Sequence, residues 1–103
     1  MHVTAYVGAS HSGASLVVEP RRLSLVADRP VPIFRPVQVS TETLQIVRVR
    51  LLPSVRIVLT PFAQAAVAPW RRTKIESLLL ANGFRLQRTS RWLPPRVDWR
   101  VGR

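Results

Sequence analysis

The sequence has no cysteine, a single lysine and only five acidic residues among its 103 positions. Without thiols, the chain has no disulfide bridge, no thiolate ligand for zinc and no cysteine nucleophile. Its apolar runs are too short to span a bilayer, and residues 1–15 lack the basic region of a signal peptide. These absences favour a cytoplasmic protein, or a part of a larger assembly, with no membrane among its partners.

Groups suited to enzymatic chemistry are also scarce. The two histidines, His2 and His11, lie near the N-terminus with no acid close by in the sequence. The acids are dispersed, and none is paired with another at the helical spacing that acid–base work favours. Ser15 lies close to His11, but a catalytic triad needs an orienting acid that the fold would have to supply. The sequence therefore predicts no enzyme, no metal and no cofactor.

Positive charge is the dominant feature of the composition. Sixteen basic residues, fifteen of them arginine, give a formal net charge of +11. Residues 71–103 hold eight arginines and Lys74 against two acids, a net charge of +7. The arginine fork matches phosphate oxygens and stacks on bases, so the charge favours a polyanionic partner. A coding sequence rich in G and C would give a similar composition without any binding role.

Length and patterning predict one basic domain over residues 1–103, of α+β class. Short β-favouring runs separated by prolines and small residues predict a short-stranded antiparallel sheet over residues 1–60. Two short helices over about 61–82 and a C-terminal β-hairpin are expected to follow. The strands of that last hairpin are predicted at 84–89 and 97–101, with Trp99 facing a core.

Residues 44–59 predict a hairpin whose register follows from the side-chain faces. A three-residue loop over 52–54 sets Val49 opposite Ile57 and gives one apolar face. The other face then carries Arg48, Arg50 and Arg56, with Arg50 directly across from Arg56. An anion between the two guanidinium groups would relieve their repulsion. In the alternative interpretation, both side chains extend into water while their stems cover the sheet.

Residues 60–82 predict two helices that meet at Pro69. Thr60 suits an N-cap, Pro61 suits the first helical position, and the alanine-rich run over 62–68 favours a helix. The second helix runs from about 70 or 71 to 81, and Asn82 and Gly83 signal its end.

This pair resembles the helix-turn-helix pattern of many small DNA-binding regulators. Ala65, Pro69 and Ile75 hold the characteristic spacing, although glycine is usual at the position of Pro69. The resemblance covers 23 of 103 residues. It implies a recognition helix that reads base edges in the major groove. The residues expected to make those contacts are Arg71, Arg72, Thr73 and Lys74. The alternative is a helical pair that simply caps a sheet.

The C-terminal hairpin would act as a wing beside the recognition helix. Its arginines are expected to reach flanking phosphates, and Trp92 in its loop is a candidate for base stacking or for a lid over the helix. The candidate contacts are Arg85, Arg88, Arg91, Trp92, Arg96 and Arg100, with Arg48, Arg50 and Arg56 as a secondary basic face.

The sequence thus favours a non-catalytic nucleic-acid-binding protein that binds mainly through phosphate contacts from its arginine-rich last third. One alternative is a small structural subunit of a ribonucleoprotein or virion, since many prolines and scattered arginines suit a chain that lies along other subunits or along RNA. A second is a module that binds an acidic protein. DNA and RNA are not distinguished by these patterns.

Overall fold

A curled sheet of eight strands forms a half-barrel in this protein, whose computed structural model describes residues 1–8, 10–29 and 35–97. The strands are β1 (His2–Val7), β2 (Ser10–Glu19), β3 (Arg22–Ala27), β4 (Val37–Ser40), β5 (Thr43–Val49), β6 (Ser54–Thr60), β7 (Ala63–Val67) and β8 (Arg85–Arg91). Their order across the sheet is β4-β3-β2-β1-β7-β6-β5-β8. Neighbouring strands are antiparallel except β5 and β8, which are parallel.

The α+β prediction is therefore wrong. The protein is mostly β, and the described residues contain one short α-helix, α1 (Arg72–Ala81), after a 3₁₀ turn (Pro69–Arg71). The sheet does not end at residue 60 but continues to Arg91. No helix in the described ranges is long and apolar enough to cross a membrane.

The core lies on the concave face of the sheet, where α1 packs. Alternate residues of the strands point into this face, as the period of two in a strand requires. Ile75 and Leu79 of α1 are fully buried against them, and Phe84 follows at the end of the helix. The remaining buried core residues are apolar: Val3, Ala5, Ala14, Leu16, Leu23, Leu25, Leu44, Ile46, Val55, Ile57, Leu59, Ala63, Ala65 and Val67.

The alanine-rich run predicted as the first helix forms β7 instead. Ala65 pairs with Ala5 on one side and Ile57 on the other, and both alanines are completely buried. Both alanines belong to the same core cluster as Ile75 and Leu79 of α1. Burial between two strands thus outweighs the intrinsic helix propensity of alanine, which is a weak preference per residue.

The second predicted helix is confirmed over Arg72–Ala81. It ends where the sequence indicated, because Gly83 adopts a φ of 85° that other residues rarely reach. Since the first helix is absent, the described residues contain no helix-turn-helix pair.

The predicted C-terminal hairpin is also wrong in its pairing. Its first strand exists as β8 but pairs in parallel with β5, after α1 has carried the chain across the sheet. Val97 is not in a strand, and the rest of the predicted second strand, including Trp99 and Arg100, lies outside the described residues.

The hairpin of β5 and β6 is confirmed, but its register is not the predicted one. Ile46 pairs with Ile57 and Val49 with Ser54, which leaves a four-residue turn over 50–53. Arg50 consequently lies in the turn, while Arg56 lies on the convex face beside Val47. The predicted contact of the two arginines does not form.

The chain after β8 crosses part of the convex face. Gln64, which is almost fully buried there, donates from its side chain to the carbonyl oxygen of Pro95 over 2.9 Å. Val47 and Val49, on the convex face between β8 and Gln64, are buried as well. Both faces of β5 therefore carry buried apolar residues, in contrast to the one apolar face that the predicted register assumed.

Candidate nucleic-acid interface

A cleft of about 240 Å³ opens where the start of α1 meets the ends of β5 and β6. We call it the helix-end cleft, and its lining residues are Arg48, Val55, Pro69, Trp70, Arg72 and Thr73. Of the residues predicted to contact nucleic acid, Arg72 and Thr73 lie here. The cleft brings them together with Arg48, which the sequence had placed on a separate basic face.

Trp70 is the most exposed large apolar side chain of the described residues, at 85%. It follows Pro69 in the 3₁₀ turn, a turn that has no buried residue. The indole ring is therefore accessible to a planar ligand that also contacts the arginines of the cleft. Sequence reasoning omitted Trp70 from the site because it assumed a turn between two helices.

The arginines of the cleft are positioned by strand and helix geometry. Arg48 follows Ile46 on the concave face of β5, at the end of the strand, and is exposed there. Arg72 is the first residue of α1, and its Nε lies 3.1 Å from Oε2 of Glu76, one helical turn later. Arg50, in the turn after β5, donates from Nε to Oγ of Ser90 over 2.9 Å.

Glu76 is the one carboxylate among the described residues that meets these cations. It is only 7% exposed and binds both Arg72 and Arg88 of β8. Arg48, the other arginine of the cleft, forms no salt bridge within residues 1–8, 10–29 and 35–97. The excess charge favours an anionic ligand over the cleft.

Replacing Glu76 with glutamine should lower the free energy of unfolding by about 1–2 kcal/mol while tightening retention on heparin. The amide keeps the size of the side chain but loses two charged contacts, whose arginines are about half exposed. Urea titration and heparin elution measure the two effects. Glu42→Gln is the matched control, since the Glu42–Arg21 pair is 65% exposed on both sides and should change stability by less than about 0.5 kcal/mol. Unchanged stability in the Glu76 variant would contradict this account.

The other predicted contacts do not join the cleft. Arg71 donates from Nη1 to the carbonyl oxygen of His2 over 2.7 Å, which ties the 3₁₀ turn to β1. Lys74 is exposed on α1 but is not among the residues of the cleft. Arg85 lies at the opposite end of β8 from Arg91.

A second groove, of about 410 Å³, lies on the convex face between β8, β5 and β6. Arg91 and Arg96 line it together with Gln45 and Gln87, which are neighbours on adjacent strands. Trp92 lies at the end of β8, and 67% of its side chain is exposed. The predicted contacts therefore do not form one surface, since Arg72 and Thr73 line the helix-end cleft while Arg91 and Arg96 line this groove.

The secondary basic face does not exist as a unit. Arg56 lies on the convex face, with its guanidinium carbon 4.2 Å from the centre of the Tyr6 ring. Tyr6 in turn stacks on His11, with ring centres 5.9 Å apart. Arg48 lies on the opposite face of the sheet and Arg50 in a turn, so the three arginines do not share one surface.

A cluster of Ser15, His2 and Asp28 lacks the arrangement of a catalytic triad. Asp28 accepts the hydroxyl of Ser15 over 3.0 Å and contacts Nδ1 of His2 over 2.9 Å. Both side chains therefore bind the same carboxylate, and the histidine is not placed to remove the proton of the serine.

Comparisons of the chain with protein-family models, with curated proteins and with solved structures give no match, so its function has to be inferred from the residues themselves.

Proposed function

We propose that this chain is a non-catalytic protein that binds single-stranded nucleic acid at the helix-end cleft. The observation that carries the proposal is the 85% exposure of Trp70 in a cleft that also holds Arg48 and Arg72. Proteins that bind single strands combine aromatic side chains, on which bases stack, with cations along the backbone. The cleft supplies both kinds of contact within one small volume.

The geometry favours a single strand over a duplex. Bases in a duplex are already stacked on one another, and an exposed indole gains most from a base whose face is free. The start of α1 is poorly suited to the major groove, because Arg71, which was expected to contact bases, is held by the backbone of β1. Trp70, in contrast, is available to an unpaired base.

The charge of the chain supports the same partner. The formal net charge is +11, and the residues that line the cleft include two arginines and no carboxylate. Phosphate contacts of this kind supply affinity without sequence information, and they make binding strongly dependent on salt. Sequence preference is therefore expected to be weak.

A salt titration tests the proposal. If Arg48 and Arg72, the two arginines of the cleft, each meet a phosphate, log K for a labelled twelve-nucleotide single strand should fall against log salt with a slope of about −1.4. Fluorescence anisotropy with DNA and RNA single strands, and with a duplex of the same sequence, measures the affinities. We expect tighter binding to the single strands than to the duplex.

The same titration separates the alternatives. Equal affinity for single strand and duplex at every salt concentration would contradict a role for the stacking surface and leave only generic attraction. Poor competition by nucleic acid against an acidic protein would favour the protein-binding module. Large, polydisperse complexes that form without any preference among nucleic acids would favour the assembly subunit.

A further inference from the structure

Two loops meet at the end of the sheet and form an exposed apolar tip. One is the turn between β5 and β6, and the other is the chain directly after β8. The backbone amide of Leu51 donates to the carbonyl oxygen of Trp92 over 3.0 Å, and that of Arg50 to Arg91 over 2.9 Å. The tip consists of four side chains, those of Leu51, Leu52, Trp92 and Leu93.

The side chains of the tip are largely in solvent. The exposed fractions are 59% for Leu51, 76% for Leu52, 67% for Trp92 and 63% for Leu93. Single exposed apolar residues are ordinary, but four on two loops that are bonded together mark an interaction surface. None of the four lines the helix-end cleft, so the tip is a separate feature from the proposed nucleic-acid site.

Cations border the tip on both loops. Arg50 precedes Leu51 and is fixed by its bond to Ser90, while Arg91 precedes Trp92 and is exposed. The described residues on these two loops include no carboxylate. A surface that accepts the tip therefore has to combine an apolar interior with a negatively charged border.

We propose that the tip inserts into the surface of an anionic lipid bilayer. Leucine and tryptophan then enter the boundary between head groups and acyl chains, and the flanking arginines bind lipid phosphates. Leu51 and Leu52 are consecutive in the turn, and both are exposed. A bilayer suits this arrangement, because a deformable surface can bury two neighbouring side chains at once. A second copy of the chain is disfavoured by the repulsion between two molecules of net charge +11.

Surface insertion requires no membrane-spanning segment. The expectation that membranes are not partners came from the absence of a long apolar run, and it does not apply to a tip of four side chains. The tip anchors the chain only while lipid charge and apolar contact act together, so the association is reversible and sensitive to lipid composition.

Vesicle binding of the full chain tests the proposal. Co-sedimentation with vesicles of phosphatidylcholine and 30% phosphatidylserine should retain the chain, whereas pure phosphatidylcholine vesicles should not. The double variant Leu51→Ser, Leu52→Ser should bind the anionic vesicles at least about tenfold more weakly, because each leucine loses apolar burial. Leu80→Ser is the matched control, since Leu80 is 51% exposed on α1 outside the tip, and it should bind like the unaltered chain.

Two results would overturn the proposal. One is equal binding of the double variant and the unaltered chain, which would make the attraction purely electrostatic. The other is failure of the unaltered chain to bind anionic vesicles. Circular dichroism and thermal unfolding of the double variant, measured in parallel, verify its fold. Failure of the vesicle experiment leaves the proposed nucleic-acid site unaffected, because the cleft does not include the tip.

Discussion

Replacing Trp70 with alanine should weaken binding of a single-stranded oligonucleotide about tenfold to a hundredfold, with little change in stability. Stacking of one base on an aromatic side chain is worth about 1–3 kcal/mol by alanine substitution. The folded state loses little because the indole is 85% exposed and belongs to a turn without buried residues. Fluorescence anisotropy at a fixed, low salt concentration measures the affinity, and thermal unfolding measures the stability.

Two further variants make this result specific. Trp70→Phe keeps a ring on which a base can stack and should retain most of the affinity. Leu80→Ala removes an exposed apolar side chain from α1 and should leave affinity unchanged. The salt dependence of the Trp70→Ala variant should keep the slope of the unaltered chain, because no cation is removed. A slope that becomes shallower, or an affinity that does not change, would contradict stacking at the cleft.

Replacing Leu79 with alanine should destabilise the fold by about 2–5 kcal/mol. Leu79 is completely buried, and it belongs to the cluster that joins α1 to the concave face of the sheet. Loss of its side chain leaves a cavity under the helix. For a domain of this size, the melting temperature should fall by at least about 10 °C.

The neighbouring residue provides a close control. Leu80 lies on the same helix, is 51% exposed and is not part of the core cluster, so Leu80→Ala should change stability by less than about 0.5 kcal/mol. Both substitutions replace leucine by alanine within one turn, so helix propensity cancels in the comparison. Denaturant titrations of the two variants measure the difference. Equal destabilisation would mean that α1 does not pack on the sheet as described.

Local signals predicted the elements whose form depends on neighbouring residues. The end of the helix over 72–81 followed from the stop at Asn82 and Gly83, and the hairpin of β5 and β6 followed from the pattern of residues 44–59. These features depend on contacts close in sequence. The structure confirms both elements.

The incorrectly predicted elements depend on burial against strands that are distant in the sequence. The run over 62–68 has strong helix propensity, yet it forms β7 because Ala5 and Ile57 flank Ala65 in the sheet. The hairpin register was inferred from one polar and one apolar face, whereas the consecutive residues Ile46 and Val47 are buried on opposite faces of the sheet. Parallel pairing of β5 with β8 likewise depends on the path of the chain over α1.

The sequence predicted the residue types of the candidate site, but it did not predict which residues the fold brings together. Arginine and tryptophan in the last third indicated a polyanion, and Arg72 and Thr73 do line the cleft. Grouping them with Arg48 was beyond sequence reasoning, because β5 and α1 meet only through the fold. Trp70 had one usable signal, its position between Pro69 and two arginines, which favours an exposed turn.

The last strand of the sheet, β8, has an outer edge along which no other described strand pairs. Such an edge is a template for pairing with another copy of the chain. Antiparallel pairing of two β8 edges centred on Arg88 would place Arg88 opposite its own counterpart and Arg85 opposite Arg91. Like charges in these positions repel, so the arginines that give the chain its charge also oppose fibre-like stacking of its copies. Salt screens the repulsion between these arginines. At high ionic strength, the edge of β8 is therefore expected to take part in self-association.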